Sequence, residues 1–477
     1  MDRSAPPKQV LLKRFRRNKR LAMLGITLGL CLLAAAFAWW LMPVGLLLAW
    51  IIHEAAFADH LFYSPREDYR YCFPESAPTV SLTLHDSLLG TPAGLTLGDP
   101  ERDTLILRVR LACCWSGYWF DPCVEVGDDV QTFERGVHGI RYLNLTGQGA
   151  LLLTGAMRIS ARHCRLVENC ELVVFPRPAL EAGHVMVLAP HADDAELAAF
   201  GLYRSLPSVS IVTLTQGEIE ARQYCKHGLA TDAAARLKGR LRAWDSQAIP
   251  LWGGVSPENC VQLGYYCLRL SAMQAQVDVP YPSRESGEHD IRSVRRHNAL
   301  SLPADTDGVP SWRNLVADLG ACIQHFRPQY ILLPHPDIDP HPDHVATHAA
   351  LCEAMAASGL RPTSLLLYTN HLHDNDRWPM GNAGDGVSLP PLLIDLPADA
   401  IFSHPLDHAA RLDKALALGM QHDLQAALPL KQRLRRSLQR ALVGRSWPVT
   451  GEDEYFRKAV RRHEMFWVRA PLPRANG

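Results

Sequence analysis

One stretch, Val185-Met-Val-Leu-Ala-Pro-His191-Ala-Asp193-Asp194-Ala-Glu196, limits the fold of this chain more than any other. Val185 to Leu188 is a short apolar run and reads as a buried strand. Pro190 ends it, a His and two Asp follow, and Leu197, Phe200 and Leu202 then set a helical pattern. Strand, polar turn, helix is how α/β enzymes present chemistry at the carboxyl end of a sheet. An imidazole and a carboxylate on such a turn can converge on one divalent ion, with Asp193 left free beside them. Alone the pattern is a weak signal, because Asp193 or Asp194 would serve equally as a helix cap.

The same grammar returns at Tyr330-Ile-Leu-Leu-Pro-His335-Pro-Asp-Ile-Asp-Pro-His341-Pro-Asp343-His344-Val-Ala-Thr-His348. An apolar strand again ends in Pro, and a His/Asp-rich loop opens a helix. Together the two stretches supply His, Asp and His for a metal, with carboxylate and imidazole left over. That is the composition of a catalytic zinc site with three protein ligands and an open position for water.

These residues carry a resemblance. His191-Ala-Asp-Asp-x-Glu with His341-Pro-Asp-His344 resembles the PIG-L/LmbE superfamily of zinc-dependent N-acetylglucosaminyl deacetylases. Ile211-Val-Thr-Leu-Thr-Gln-Gly217-Glu218 is similar to the family's second strand and its Thr-x-Gly-Glu loop, and Gly264-Tyr265-Tyr266 to its Leu-Gly-Tyr loop. Ala192 stands where the family usually has Pro, and the acidic residue falls at Glu196. The resemblance covers roughly residues 184 to 425. It implies a Rossmann-like, mostly parallel α/β sheet. It implies zinc on His191, Asp194 and His344, Asp193 as general base, and His341 as donor to the oxyanion and leaving amine. Asp343 would keep the His341 imidazole charged and oriented. Gly217, Glu218, Arg222 and His371 are candidate substrate contacts, His373 a further one, and His335 and His348 supporting residues. The implied reaction is hydrolysis of the N-acetyl group of an amino sugar. A membrane-tethered glycan-binding or scaffold protein with a vestigial deacetylase fold is the alternative.

The amino-terminal stretch reads as a membrane segment. Eight of the first 20 residues are Lys or Arg, and the next 32, Leu21 to Ile52, carry no charge. About 20 apolar residues span a bilayer as a helix. A signal sequence ending near Ala58, a re-entrant hairpin bent at Pro43 and one tilted span all fit. The single span over 21–52 is the expectation. With the basic tail (1–20) held inside, it places the enzyme in the periplasm of a bacterial inner membrane. A hairpin would place it on the cytoplasmic face. Tethering suggests a glycan held at the membrane, either lipopolysaccharide core or a lipid-linked saccharide. Formal net charge is zero, so no global field favours nucleic acid.

Residues 53–178 alternate with period two at Asp103-Thr-Leu105-Ile-Leu107-Arg108-Val109-Arg110-Leu111 and predict a small all-β module. Six of the twelve Cys fall there, and disulfides are permitted if it is periplasmic. The catalytic domain occupies 179–477. Its polar stretch 275–312, with Arg284, Arg292, Arg295 and Arg296, reads as a lid or as disorder. Leu430 to Leu442 reads as a basic amphipathic helix, suited to anionic headgroups, to phosphorylated glycan or to solvent.

Overall fold

A computed structural model describes residues 8–470 apart from 93, 168–169, 373–374, 394–395, 397, 426–427 and 452, so His373 lies outside the described residues. The region from residue 179 on is built on seven strands: β1 (Val185–Ala189), β2 (Val209–Thr215), β3 (Cys260–Tyr265), β4 (Tyr330–Pro334), β5 (Ser364–Tyr368), β6 (Ala400–Pro405) and β7 (His463–Arg469). They lie in the order β3-β2-β1-β4-β5-β7-β6. The first five pair in parallel, and β7 enters antiparallel between β5 and β6.

Every residue of β1 is buried, as expected of a parallel strand covered on both faces. Met186 and Leu188 pack into one core, and Val185, Val187 and Ala189 into the other, because strand side chains alternate sides. The strand order reverses between β1 and β4. A ligand crevice opens at such a switch point, outside the carboxyl ends of the strands. Two helices start there, α3 (Asp194–Arg204) after β1 and α6 (Pro342–Ser358) after β4.

Residues 79–175 form one six-stranded and one three-stranded sheet, both antiparallel. The alternation seen in sequence sorts the strand Thr104–Cys113 between two cores. Leu105, Leu107, Val109 and Leu111 fill the module's interior, while Ile106 joins the catalytic core. Asn144 donates to Ser403 Oγ at 2.8 Å, and the Ser403 amide donates to Thr104 Oγ1 at 2.9 Å, which fastens the module to β6. The expected boundary near residue 178 therefore cuts through a shared core. Cys113, Cys123, Cys164 and Cys170 stand as free thiols.

The stretch 275–312 is neither lid nor disorder but a packed loop. Arg295 pins it, with Nη2 2.6 Å from Asp318, Nη1 3.0 Å from Asp305 and Nε donating to the Leu263 carbonyl at 2.7 Å.

The apolar run departs from the single span expected over 21–52. It forms two helices, α1 (Lys8–Ala36) and α2 (Leu41–Ala55). A helix continuing through Pro43 would lose one backbone hydrogen bond and drive the ring into the preceding turn. Restarting at Leu41 leaves Pro43 in the first turn, where its missing N–H costs nothing. The two helices fold back on each other, and a Cβ on Gly45 would meet Leu30 Cδ2 at 2.3 Å. By length and composition alone, α1 is the one helix among the described residues that could cross a membrane.

Candidate active site

The turn after β1 and the first turn of α6 meet at the switch point. Asp194 Oδ2 lies 3.1 Å from His191 Nδ1 and 3.2 Å from His344 Nε2, and those two nitrogens are 3.4 Å apart. Three donors converge on one point without a hydrogen-bonding reason for two imidazoles to face each other. Ligands at about 2.0–2.1 Å around a tetrahedral ion stand about 3.3 Å from one another. The triad therefore has the spacing and the N/O chemistry of a divalent-metal site.

Each member of the triad is steered from behind. His344 Nδ1 faces Asp339 Oδ2 at 3.0 Å, and His191 Nε2 faces Asp343 Oδ2 at 3.3 Å. Asn370 donates to Asp194 Oδ1 at 2.8 Å, and the His191 amide donates to Asp194 Oδ2 at 2.9 Å. A carboxylate behind a ligating imidazole fixes its orientation and strengthens it as a ligand. Burial works against charge on His344, but the Asp194 and Asp339 carboxylates outweigh it and raise the ring to about 9. Burial likewise opposes charge on His191, yet Cys267, Asp194 and Asp343 carry it well above the usual histidine range. Asp194 is held well below the carboxylate range because His344 and His191 overcome its burial.

Asp343 departs from the role expected of it. Its carboxylate turns inward, accepting from the Leu268 amide at 2.7 Å and facing His191, so it does not grip the His341 ring. Only its backbone N–H meets that ring, donating to His341 Nδ1 at 3.3 Å. His341 caps α6, and its ring centroid sits 4.8 Å from those of both His191 and His344. Burial and the positive charge of those two neighbours push His341 down to about 4, so it is neutral near pH 7, not charged as expected. With Nδ1 accepting from Asp343, the neutral ring carries its proton on Nε2.

Asp193 stays out of the triad. Its Oδ1 meets Arg242 Nη2 at 2.7 Å, and Arg242 Nη1 meets Asp423 at 2.6 Å. Arg242 comes from α4 (Thr231–Trp252), and only glycine at 217 leaves it room. Gly217 has φ +62°, and a Cβ there would lie 2.3 Å from Arg242 Nε. Gln421, at the end of α7 (His408–Met420), donates to the Ala192 carbonyl and to Glu196, both at 3.0 Å, and so fixes the turn that carries Asp193. Burial raises Glu196 to about 8, which keeps it protonated and a structural partner.

The candidate substrate contacts divide. His371 stacks on His341 at 5.4 Å and lies 3.5 Å from the Tyr455 hydroxyl. Glu218 is fully buried, accepting from the Cys267 amide at 3.2 Å and from Ser283 Oγ at 2.8 Å, so it braces the loop after β3. Gly217 serves Arg242, and Arg222 is exposed on the short helix Ala221–His227. His335 is buried edge-on to Trp467, and His348 lies 3.7 Å from Cys352 Sγ, both outside the triad. Sequence reasoning gave no role to Asp339, Asn370, Arg242 or Cys267. Cys267, with His191 and Asp343, forms a second donor group within 4.8 Å.

Residues 186–355 match the family model of PIG-L, GlcNAc-PI de-N-acetylase. No curated protein matches the chain. Among solved structures, N,N'-diacetylchitobiose deacetylase from Pyrococcus horikoshii is 13% identical, over 60% of this chain and 84% of that one, at a TM-score of 0.32. The zinc-inhibited form of teicoplanin deacetylase Orf2 is 16% identical, over 60% and 97%, at 0.31. GalB, the 4-carboxy-2-hydroxymuconate hydratase from Pseudomonas putida, is 13% identical over 62% and 98%, also at 0.31. The family match falls on β1 through α6, the segment that holds the whole triad. Over residues 186–355 the chain is similar to the PIG-L family of GlcNAc-PI de-N-acetylases.

Proposed function

We propose that this protein is a membrane-anchored, zinc-dependent de-N-acetylase of an amino sugar carried by a membrane-borne glycan, either lipopolysaccharide core or a lipid-linked saccharide. The observation that carries the reading is the facing triad of His191, Asp194 and His344 with Asp193 held beside it by Arg242.

His191, Asp194 and His344 would hold the zinc ion, which would supply a Lewis acid for the amide carbonyl and lower the pKa of water toward neutrality. Asp193 takes the proton from the attacking water. Arg242 sets the direction of its carboxylate, leaving Oδ2 to reach the water. His341, with its proton on Nε2, donates to the developing oxyanion. The proton collected by Asp193 then passes to the leaving amine, and the products are a free amino sugar and acetate. His371 and Tyr455 flank His341 and are the nearest candidates to meet the sugar hydroxyls. The apolar hairpin supports the membrane part of the reading.

The test is acetate release from cell-envelope glycolipid bearing N-acetylated amino sugars, with full-length protein in detergent and added zinc. Wild-type protein releases acetate and leaves a new primary amine on the sugar. Release no faster than that of His191→Ala protein would favour the vestigial-scaffold alternative.

The glycine at 217 gives a sharper check of the arrangement. In Gly217→Ala the backbone costs about 1–2 kcal/mol of left-handed strain, and the new methyl pushes Arg242 off Asp193. A displacement near 1 Å at a catalytic group costs about a hundredfold. The expected result is kcat down by up to that factor with metal content unchanged. Unchanged kcat would mean that Arg242 does not orient the base.

A further inference from the structure

We infer that α1, α2 and α8 (Leu430–Val443) form one docking surface for an anionic phospholipid leaflet, with the catalytic domain on the same side of the membrane as the basic amino terminus. This rests on the membrane-anchored part of the reading above.

The hairpin is rooted on the protein at both ends. At the start of α1, Lys8 Nζ lies 3.2 Å from Asp376, and the Phe15 ring meets His60 edge-on at 4.7 Å. At the end of α2, buried Glu54 accepts from Arg435 Nε of α8 at 2.6 Å. The Arg435 guanidinium also covers the Phe57 ring at 3.5 Å, and Gln439 donates to the Phe57 carbonyl at 2.9 Å. Between these roots nothing among the described residues covers the hairpin. No residue of α1 is buried, Glu54 is the one buried residue of α2, and Phe37 and Trp39 at the tip are 78% and 79% exposed. A chain that leaves and returns through such a hairpin ends on the face where it began.

The charges lie where a headgroup layer would meet this surface. On α1, Lys13, Arg14, Arg16, Arg17, Lys19 and Arg20 sit between the rooted end and the apolar run from Leu21. On α8, exposed Leu430, Leu434 and Leu442 run alongside exposed Lys431, Arg433 and Arg440. Neither helix contains an acidic residue. Apolar side chains flanked by Lys and Arg are the composition of an interfacial helix, and its neighbour through Glu54 is the hairpin itself. Each basic side chain near an anionic surface strengthens binding about fivefold. An apolar hairpin joined to a basic collar fits a lipid leaflet, whereas a soluble polyanion would leave the apolar part uncovered. Basic segments resist translocation, so the shared side is the cytoplasmic one.

Two measurements on the full chain test this. Fusions after Gly477 should give fluorescence from a cytoplasm-only reporter and no activity from a phosphatase; an active phosphatase would overturn the shared side. Hydrogen exchange of the protein in nanodiscs should be at least about tenfold slower over 13–20 and 430–443 when phosphatidylglycerol is added to phosphatidylcholine. The variant Lys431→Gln, Arg433→Gln, Arg440→Gln should lose that difference over 430–443. Equal exchange in the two lipids, or slowing that appears in detergent through self-association, would overturn the docking surface. Neither measurement uses the reaction. An inert enzyme with a fluorescent carboxyl terminus would sink the deacetylase reading and keep this one, and an active enzyme with an active phosphatase fusion would do the reverse.

Discussion

Wild-type protein should carry about one zinc per chain, and His191→Ala and His344→Ala should each abolish both bound metal and acetate release. The triad's separations of 3.1, 3.2 and 3.4 Å are those of ligands on one ion, whereas His341 joins His191 and His344 only within 4.8 Å. Asp339→Asn should be milder. It leaves the triad whole and removes the charge behind His344, for about a 10–100-fold loss of metal affinity. Elemental analysis of the purified proteins, read beside acetate release, separates these cases. Metal retained by His344→Ala would remove His344 from the ligand set.

On the proposed ligand set, protons and metal compete for the His344 ring, and this fixes the sign of the pH dependence. In the metal-free fold His344 is raised from the ordinary 6.5 to about 9. Its ion pairs with Asp194 and Asp339 therefore stabilise that fold fully below pH 6.5, and the stabilisation disappears as pH rises through 9. Metal needs the deprotonated ring, so its affinity changes the other way and grows toward pH 9. Thermal melts of chelated protein should fall across that window while melts with zinc hold or rise. Parallel curves would mean that the ring is not shared.

How much of this was legible in sequence follows from where each residue gets its position. His191, Asp194 and His344 sit directly after apolar strands that end in Pro. Local pattern alone puts them at the carboxyl ends of β1 and β4, and the reversal of strand order brings those ends together. Arg242 lies mid-helix on α4 with no motif around it, and reaches Asp193 only because the helix packs over the Gly217 turn. The one signal was the Gly in Gly217-Glu218, read as a substrate contact when it is a space. The error over Asp343 has the same root. Spacing puts it two residues from His341, but as the second residue of α6 its side chain turns toward Leu268 and His191. The apolar run was misread as one helix because its uninterrupted length outweighed a single Pro43, although that proline alone forbids an undisturbed helix across 39–43.

Asp193→Asn should lower kcat by about 10²–10⁴-fold, the range for loss of a positioned general base. Metal content should stay at the wild-type level, because Asp193 contributes no donor to the triad. Asn matches Asp in shape, and Arg242 keeps its second partner Asp423 at 2.6 Å, so the fold around the turn has no reason to change. The substitution removes the one property at issue, a carboxylate able to accept a proton beside the triad. Arg242→Lys tests the other side of the pair. A single ammonium cannot hold Asp193 and Asp423 in the fork that a guanidinium makes. The base would then be present but loosely aimed, and the loss should fall between that of wild type and that of Asp193→Asn. If Asp193→Asn protein kept nearly all its activity, the proton would have to go elsewhere. His341 lies within reach of both triad imidazoles, so the base would be reassigned to it.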